Sequence, residues 1–275
     1  MSYGPSPWLQ QHWDIRAALN FVLGGIGAGV LVALAVSGAR EPLWQSLGLA
    51  FVGGGLTAVW LEIGRPWRAF HVLFNPFTSW MTRESFVAAL LFALGIAALI
   101  SRRAELAIAS ALAALAFVYC QGRMLHAAKG IPAWREPMVT WLIVATALAE
   151  GAGLLLVVSS LAGRQPNAAA AWCALAVIAR AGTWSAYRRR VARKSAQPCL
   201  APLDRAGTVL IRLGTVASLA LLAAGALLPD LARATVPLAG VAAAAAGWHF
   251  KIVLVTRAAF NQGFALPQLP VRGRR

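Results

Sequence analysis

Residues Ala17 to Ser37 read Ala-Ala-Leu-Asn-Phe-Val-Leu-Gly-Gly-Ile-Gly-Ala-Gly-Val-Leu-Val-Ala-Leu-Ala-Val-Ser, twenty-one positions without a charge. A helix of that length covers about 30 Å, the thickness of a bilayer's hydrocarbon core. The run is continuous rather than alternating, and Ala, Leu and Gly dominate it, which implies a spanning helix and not a β-barrel strand. Further charge-poor runs follow near 43–63, 85–101, 104–125, 138–161, 168–187, 207–228 and 236–256. The chain is therefore predicted to be all-α, a polytopic bundle of eight transmembrane helices forming one domain over residues 1–275. Its composition agrees: 59% of residues are apolar, 12% are charged and mean hydropathy is +0.67, values a soluble core of this size does not need. The third run is short and the turn at Ser101-Arg102-Arg103 is tight, so that hairpin is the weakest part of the pattern. Met1 to Asp14 is polar and broken by Gly4, Pro5 and Pro7, so no cleaved signal is expected and the first span stays in the protein.

The net charge of +16 invites a nucleic-acid reading, but the distribution of the basic residues excludes it. Of 25 Lys and Arg, only Arg40, Arg102, Arg103, Arg164 and Arg233 fall on one side of the eight spans, and the other 20 fall on the side of the termini. The positive-inside rule then places both termini in the cytoplasm of a bacterium, with the chain in its inner membrane. The basic loop Arg188 to Lys194 suits either anionic lipid headgroups or a docking partner.

Redox centres of the chain's own are not expected. Cys120, Cys173 and Cys199 are scattered without a C-x-x-C, so they build neither an iron–sulfur nor a zinc site. Haem would have to draw on His126 and His249, near the inner ends of the fourth and eighth spans, and these isolated histidines lack a paired-ligand pattern. Gly24-Gly25-x-Gly27-x-Gly29 is not a dinucleotide loop, because no strand precedes it and it lies inside a span; close helix packing is the reading.

Chemistry concentrates between the second and third spans, in Leu61-Glu62-Ile63-Gly64-Arg65-Pro66-Trp67-Arg68-Ala69-Phe70 and on through Asn75-Pro76 to Ser79-Trp80-Met81-Thr82-Arg83-Glu84. Carboxylates, guanidiniums, an imidazole and indoles gathered at a membrane boundary suggest proton-coupled chemistry on an amphiphile, for which a quinone is the obvious candidate. Glu62 and Glu84 flank this loop and would exchange protons with it. Arg65 and Arg83 could stabilise negative charge on a quinone oxygen, His71 could donate or relay a proton, and Asn20 on the inner part of the first span offers an amide to a carbonyl. Trp67 and Trp80 would line the same site. The plainer alternative has Arg65 and Arg68 holding lipid phosphates or Glu62, with Trp67, Trp80 and Trp134 as interfacial-belt residues.

These pieces, with Asn20 to Gly29 in the first span, Ile131-Pro132-Ala133-Trp134 and Arg257-Ala258-Ala259-Phe260, resemble the membrane anchor subunits of complex iron–sulfur molybdoenzymes, the family of the dimethyl sulfoxide reductase anchor and its polysulfide and nitrite reductase relatives. The resemblance covers essentially the whole chain, although only the loop motif is specific. It implies a haem-free anchor that exchanges electrons between menaquinone or ubiquinone and an iron–sulfur subunit, which connects to a molybdenum- or tungsten-containing catalytic subunit. In the dimethyl sulfoxide reductase anchor a histidine stands where this chain has Glu62, whereas the acidic residue at Glu84 is retained. Thr256 to Gly273 is similar to anchors of phenylacetyl-CoA:acceptor oxidoreductases, implying a cytoplasmic substrate and quinone reduction; anchors of sulfur-compound oxidoreductases are similar as well.

Deeper in the spans, Glu150, Arg180, Arg212, His249 and Lys251 need partners. A Glu150–Arg180 pair locking neighbouring helices is the favoured expectation over a proton path. A transporter would more typically display repeated halves and broken helices at the midplane, and here the polar residues crowd one interface.

Overall fold

The computed structural model describes residues 4–5, 7–62, 66–164, 167–193, 195 and 197–265. Its long helices are α1 (Ile15–Ser37), α2 (Pro42–Glu62), α3 (Trp80–Ser101), α4 (Ala104–Ala127), α5 (Met138–Leu161), α6 (Asn167–Val191), α7 (Gln197–Leu227) and α8 (Pro229–Thr256). Their bounds follow the apolar runs closely. The third extends five residues further toward its N-terminus than the hydropathy implies, because Ser79 caps it by accepting from Thr82 N at 3.3 Å and so admits Trp80 to Glu84 into the helix.

Among the described residues, seven of these helices are long and apolar enough to cross a membrane. The one that falls short is α6, whose run of Ala and Trp is interrupted by Arg180 and ends in Arg188, Arg189 and Arg190. An odd count would leave the chain ends on opposite faces. Instead β1 (Gly4–Pro5) pairs antiparallel with β2 (Phe264–Ala265), and Leu9 bridges to Phe260. With 25 residues, α6 is about 37 Å long, so it matches a bilayer in length but not in apolarity, and the count of candidate spans among the described residues is seven where the hydropathy runs imply eight. Its Arg180 is buried inside the bundle and away from lipid.

Close packing of α1, α5 and α8 forms the centre, with α3 and α7 at the periphery. Glycine makes these approaches possible: a Cβ on Gly29 would collide with the Ala147 carbonyl and Gly151, and one on Gly153 with Gly240. Gly27 similarly admits Gly48 and Val52 of α2. The tight α3–α4 hairpin is closed by Arg102, the one described non-glycine residue with positive φ (58°), which caps α3 in the left-handed region.

Two short elements cross the termini's side. Pro66–Phe74 is a 3-10 helix in the α2–α3 connection, and Pro132–Arg135 is one helical turn before α5. Trp134 in that turn is not a belt residue: it is 2% exposed, and its indole N–H donates to the Leu254 carbonyl at 2.9 Å.

Candidate functional site

At the termini's end of the bundle, His12, Trp13, Ala17, Asn20, Phe21, Val59, Glu62, Met81, Glu84 and Met124 line a cavity of about 290 Å³. Five elements build it, α4 contributing Met124. The segment before α1 contributes His12 and Trp13, the first turns of α1 contribute Ala17, Asn20 and Phe21, the end of α2 contributes Val59 and Glu62, and the start of α3 contributes Met81 and Glu84. Apolar walls with a few convergent polar groups are the usual form of a small-molecule site.

Three of the sequence-predicted residues, Asn20, Glu62 and Glu84, therefore meet in one place, although 42 and 64 positions separate them from Asn20. Glu84 is the deep member, 3% exposed, and its Oε1 accepts from Asn20 Nδ2 at 3.2 Å. Among the described residues it has no ion pair, so a group that can be charged stands in the cavity wall with only neutral amide partners, Asn20 and Gln121. Asn20 Oδ1 is buried and has no donor among the described residues. A ligand hydroxyl could supply one. Glu62 is half-buried at the last residue of α2, and Arg16 Nη1 donates to the adjacent Leu61 carbonyl at 3.2 Å, tying that helix end to the start of α1. Asp14 caps α1, accepting from Arg16 N at 2.7 Å, and the Arg16 guanidinium at 2.8 Å holds its carboxyl below the usual carboxylate range.

The remaining candidates lie elsewhere. Arg83 points back into the loop, where Nε donates to Pro76 O at 2.8 Å and Nη2 to Phe77 O at 2.6 Å. Its guanidinium lies 4.3 Å from the Trp80 ring, and Arg123 lies 4.6 Å from the same ring. Arg83 and Trp80 thus fasten the connection that delivers Glu84, and neither lines the cavity. His71 is exposed on the 3-10 helix, edge-on to Phe74 at 5.8 Å. Arg65 and the side chain of Trp67 lie outside the described residues.

Sequence reasoning passed over His12 and Trp13, which look like a polar lead-in to the first span. Exposed His12 sits at the rim, and Trp13 forms a wall, 6.0 Å from the Phe21 ring and 5.0 Å from Trp134. Gln10 sets both: its Oε1 accepts from the backbone N–H of His12 (2.9 Å) and Trp13 (2.8 Å), and its Nε2 donates to Val255 O at 3.2 Å. A signal was available, since Gln10, His12 and Trp13 are polar or amphipathic residues placed just before a span.

The buried charges pair differently from expectation. Glu150 meets Lys251, not Arg180: Lys251 Nζ lies 2.6 Å from Glu150 Oε2, and both side chains are 0% exposed. Arg180 instead donates to the carbonyls of Ala243 (2.7 Å) and Gly214. Lys251, near the inner end of α8, faces the bundle. His249 is exposed, Arg212 is exposed, and no group of three or more His, Cys, Asp or Glu able to hold a metal occurs among the described residues.

A family model described as DMSO reductase anchor subunit (DmsC) matches residues 42–195, which contain α2 through α6 and with them Glu62 and Glu84. No curated protein matches the chain. The match covers more than half of the sequence, and the chain belongs to the DMSO reductase anchor subunit family: it is a multi-pass membrane anchor of a molybdoenzyme, one subunit of an oxidoreductase complex.

Proposed function

From that membership and this cavity, we propose that the chain exchanges electrons between the membrane quinone pool and an iron–sulfur subunit, itself connected to a molybdenum- or tungsten-containing catalytic subunit, and that quinone binds between His12, Asn20, Glu62 and Glu84. The observation that carries the proposal is the meeting of Asn20, Glu62 and Glu84 in one cavity at the interface end of the bundle. The residues fit the ligand: apolar Phe21, Val59, Met81 and Met124 suit a ring, and the donorless Asn20 Oδ1 suits a quinol hydroxyl. Bound quinone supplies a two-electron, two-proton couple.

The chain's own residues would then manage protons and water. His12 and Glu62, nearer solvent, take protons from the aqueous side, and Glu84 holds one beside the ligand oxygen, within reach of the Asn20 amide. Trp13 and Phe21 wall the site from the rest of the interior. Arg65 and His71, on the same connection, remain candidates for steadying negative charge and relaying protons, while Arg83, Trp80 and Trp67 belong to the segment that sets the position of Glu84.

The charge asymmetry supports cytoplasmic termini in a bacterial inner membrane, and with them a cytoplasmic substrate. On this reading electrons leave a substrate such as phenylacetyl-CoA, cross the iron–sulfur partner and reduce quinone. The resemblance of Thr256 to Gly273 supports that direction. Labelling with a photoreactive short-tailed quinone tests the site. Adducts are expected on peptides carrying residues 12–21, 59–62 or 81–84, and adducts confined to other peptides would refute it. Iron–sulfur and molybdenum- or tungsten-containing proteins are expected to copurify with the chain.

A further inference from the structure

The first turns of α1 are not α-helical throughout: Asn20–Gly24 is a π-helix, a wide turn with i→i+5 bonding. Its two leading carbonyls take donors from other helices. Gln121 Nε2 of α4 donates to Asn20 O at 2.9 Å, and Lys251 Nζ of α8 donates to Phe21 O at 2.8 Å. Asn20 and Phe21 are also the two residues of that turn that line the cavity. Gln121 is fully buried and its amide also lies against the Glu84 carboxyl, and Lys251 is held at the same time by Glu150.

The last glycine of that turn and the one that follows it make these contacts possible. A Cβ on Gly24 would stand 2.7 Å from Gln121 Nε2, and a Cβ on Gly25 would collide with Lys251 Nζ. The run Gly24-Gly25-x-Gly27-x-Gly29 therefore divides into two functions. Gly27 and Gly29 bring backbones together, whereas Gly24 and Gly25 leave room for two polar side chains.

We propose that Gln121 and Lys251 are positioning residues of the cavity: by bonding the Asn20 and Phe21 carbonyls they hold the π-turn in the register that aims the Asn20 amide at Glu84 and at bound quinone. The proposal rests on the quinone reading of the cavity. An α-helical turn in place of the π-turn would rotate residues before Gly24 by roughly 100° relative to the rest of α1, carrying Asn20 off the cavity wall.

The test uses membranes holding the assembled complex and a fluorescent hydroxyquinoline N-oxide as quinone mimic, with affinities referred to the amount of assembled chain. Gln121→Leu removes one donor without adding charge, and Gly25→Ala displaces the ammonium without deleting it. Each is expected to weaken binding of the mimic about tenfold, near the net worth of one hydrogen bond. Lys251→Met can cost assembly, so Glu150→Met is combined with it to remove both charges; assembly is expected to return while affinity stays low. A purely structural role predicts the opposite pattern, less assembled chain with unchanged affinity in what remains, and that result overturns the proposal. Asn20→Leu and Glu84→Gln are measured alongside. If they weaken binding while Gln121→Leu and Gly25→Ala do not, the positioning role fails and the quinone site stands. If none of the four changes binding, the cavity reading itself fails.

Discussion

Replacing Glu84 by Gln separates chemistry from architecture at one atom. The side chain is 3% exposed and its Oε1 accepts from Asn20 Nδ2 at 3.2 Å, a bond that the Gln carbonyl oxygen keeps. No ion pair is broken among the described residues, so no charge is stranded. The expected stability change is within about 1 kcal/mol, the scale of one neutral hydrogen bond. The lost function is larger. General acid–base assistance is worth about 10²–10⁴-fold, or about 3–5 kcal/mol of barrier. The complex should assemble at normal levels while turnover with a short-tailed quinone falls by that factor. Turnover with an artificial acceptor that takes electrons from the iron–sulfur partner should be unaffected, because that route bypasses the cavity. Full quinone turnover in Glu84→Gln would place proton handling elsewhere. Loss of both activities together would make Glu84 a docking or folding residue.

Other perturbations bear on different parts of the molecule. Lys251→Met alone leaves Glu150 buried and unpaired and is expected to lower stability by about 3–5 kcal/mol, read as lost thermal resistance in detergent; the double change with Glu150→Met should regain most of it. A reporter fused after Arg275 is expected to be active only in the cytoplasm, and one placed at Arg164 only outside, and a periplasmic C-terminus would overturn the orientation drawn from the 20-to-5 charge division. Gly29→Val should abolish assembly, since its Cβ would meet the Ala147 carbonyl and Gly151, whereas Gly182→Ala, with nothing within 4 Å, should be tolerated; equal expression of both would argue against the α1–α5 packing.

Span positions were legible because bilayer thickness acts on local composition alone: Met138–Leu161 and Ala104–Ala127 can be bounded to within two residues without knowledge of any neighbour. The acidic pair was legible for a chemical reason, as carboxylates at a membrane boundary are costly without a task. Partner choice was not. Glu150 and Arg180 lie on adjacent helices, and only the rotation of α8 about its axis brings Lys251 to the carboxylate in place of the guanidinium. His12 and Trp13 were missed on similar grounds, because their role depends on Gln10 meeting Val255, 245 positions away. The orientation of Arg83 was not legible either: it neighbours Glu84 along the chain, yet on a helix successive side chains diverge by about 100°, and Arg83 turns to Pro76 and Phe77.

The union of the chain's two ends has a consequence for biosynthesis. The strap bearing His12 and Trp13 leaves the ribosome about 240 residues before what holds it: Val255 O takes Gln10 Nε2, Ala259 O takes the Gln10 backbone N–H, and Asn261 exchanges bonds with Trp8. Until α8 is threaded, one wall of the cavity has no anchorage. An abandoned or prematurely terminated chain would insert most of its helices and still lack a closed cavity, so an unfinished anchor would sit in the membrane with its candidate site open on one side.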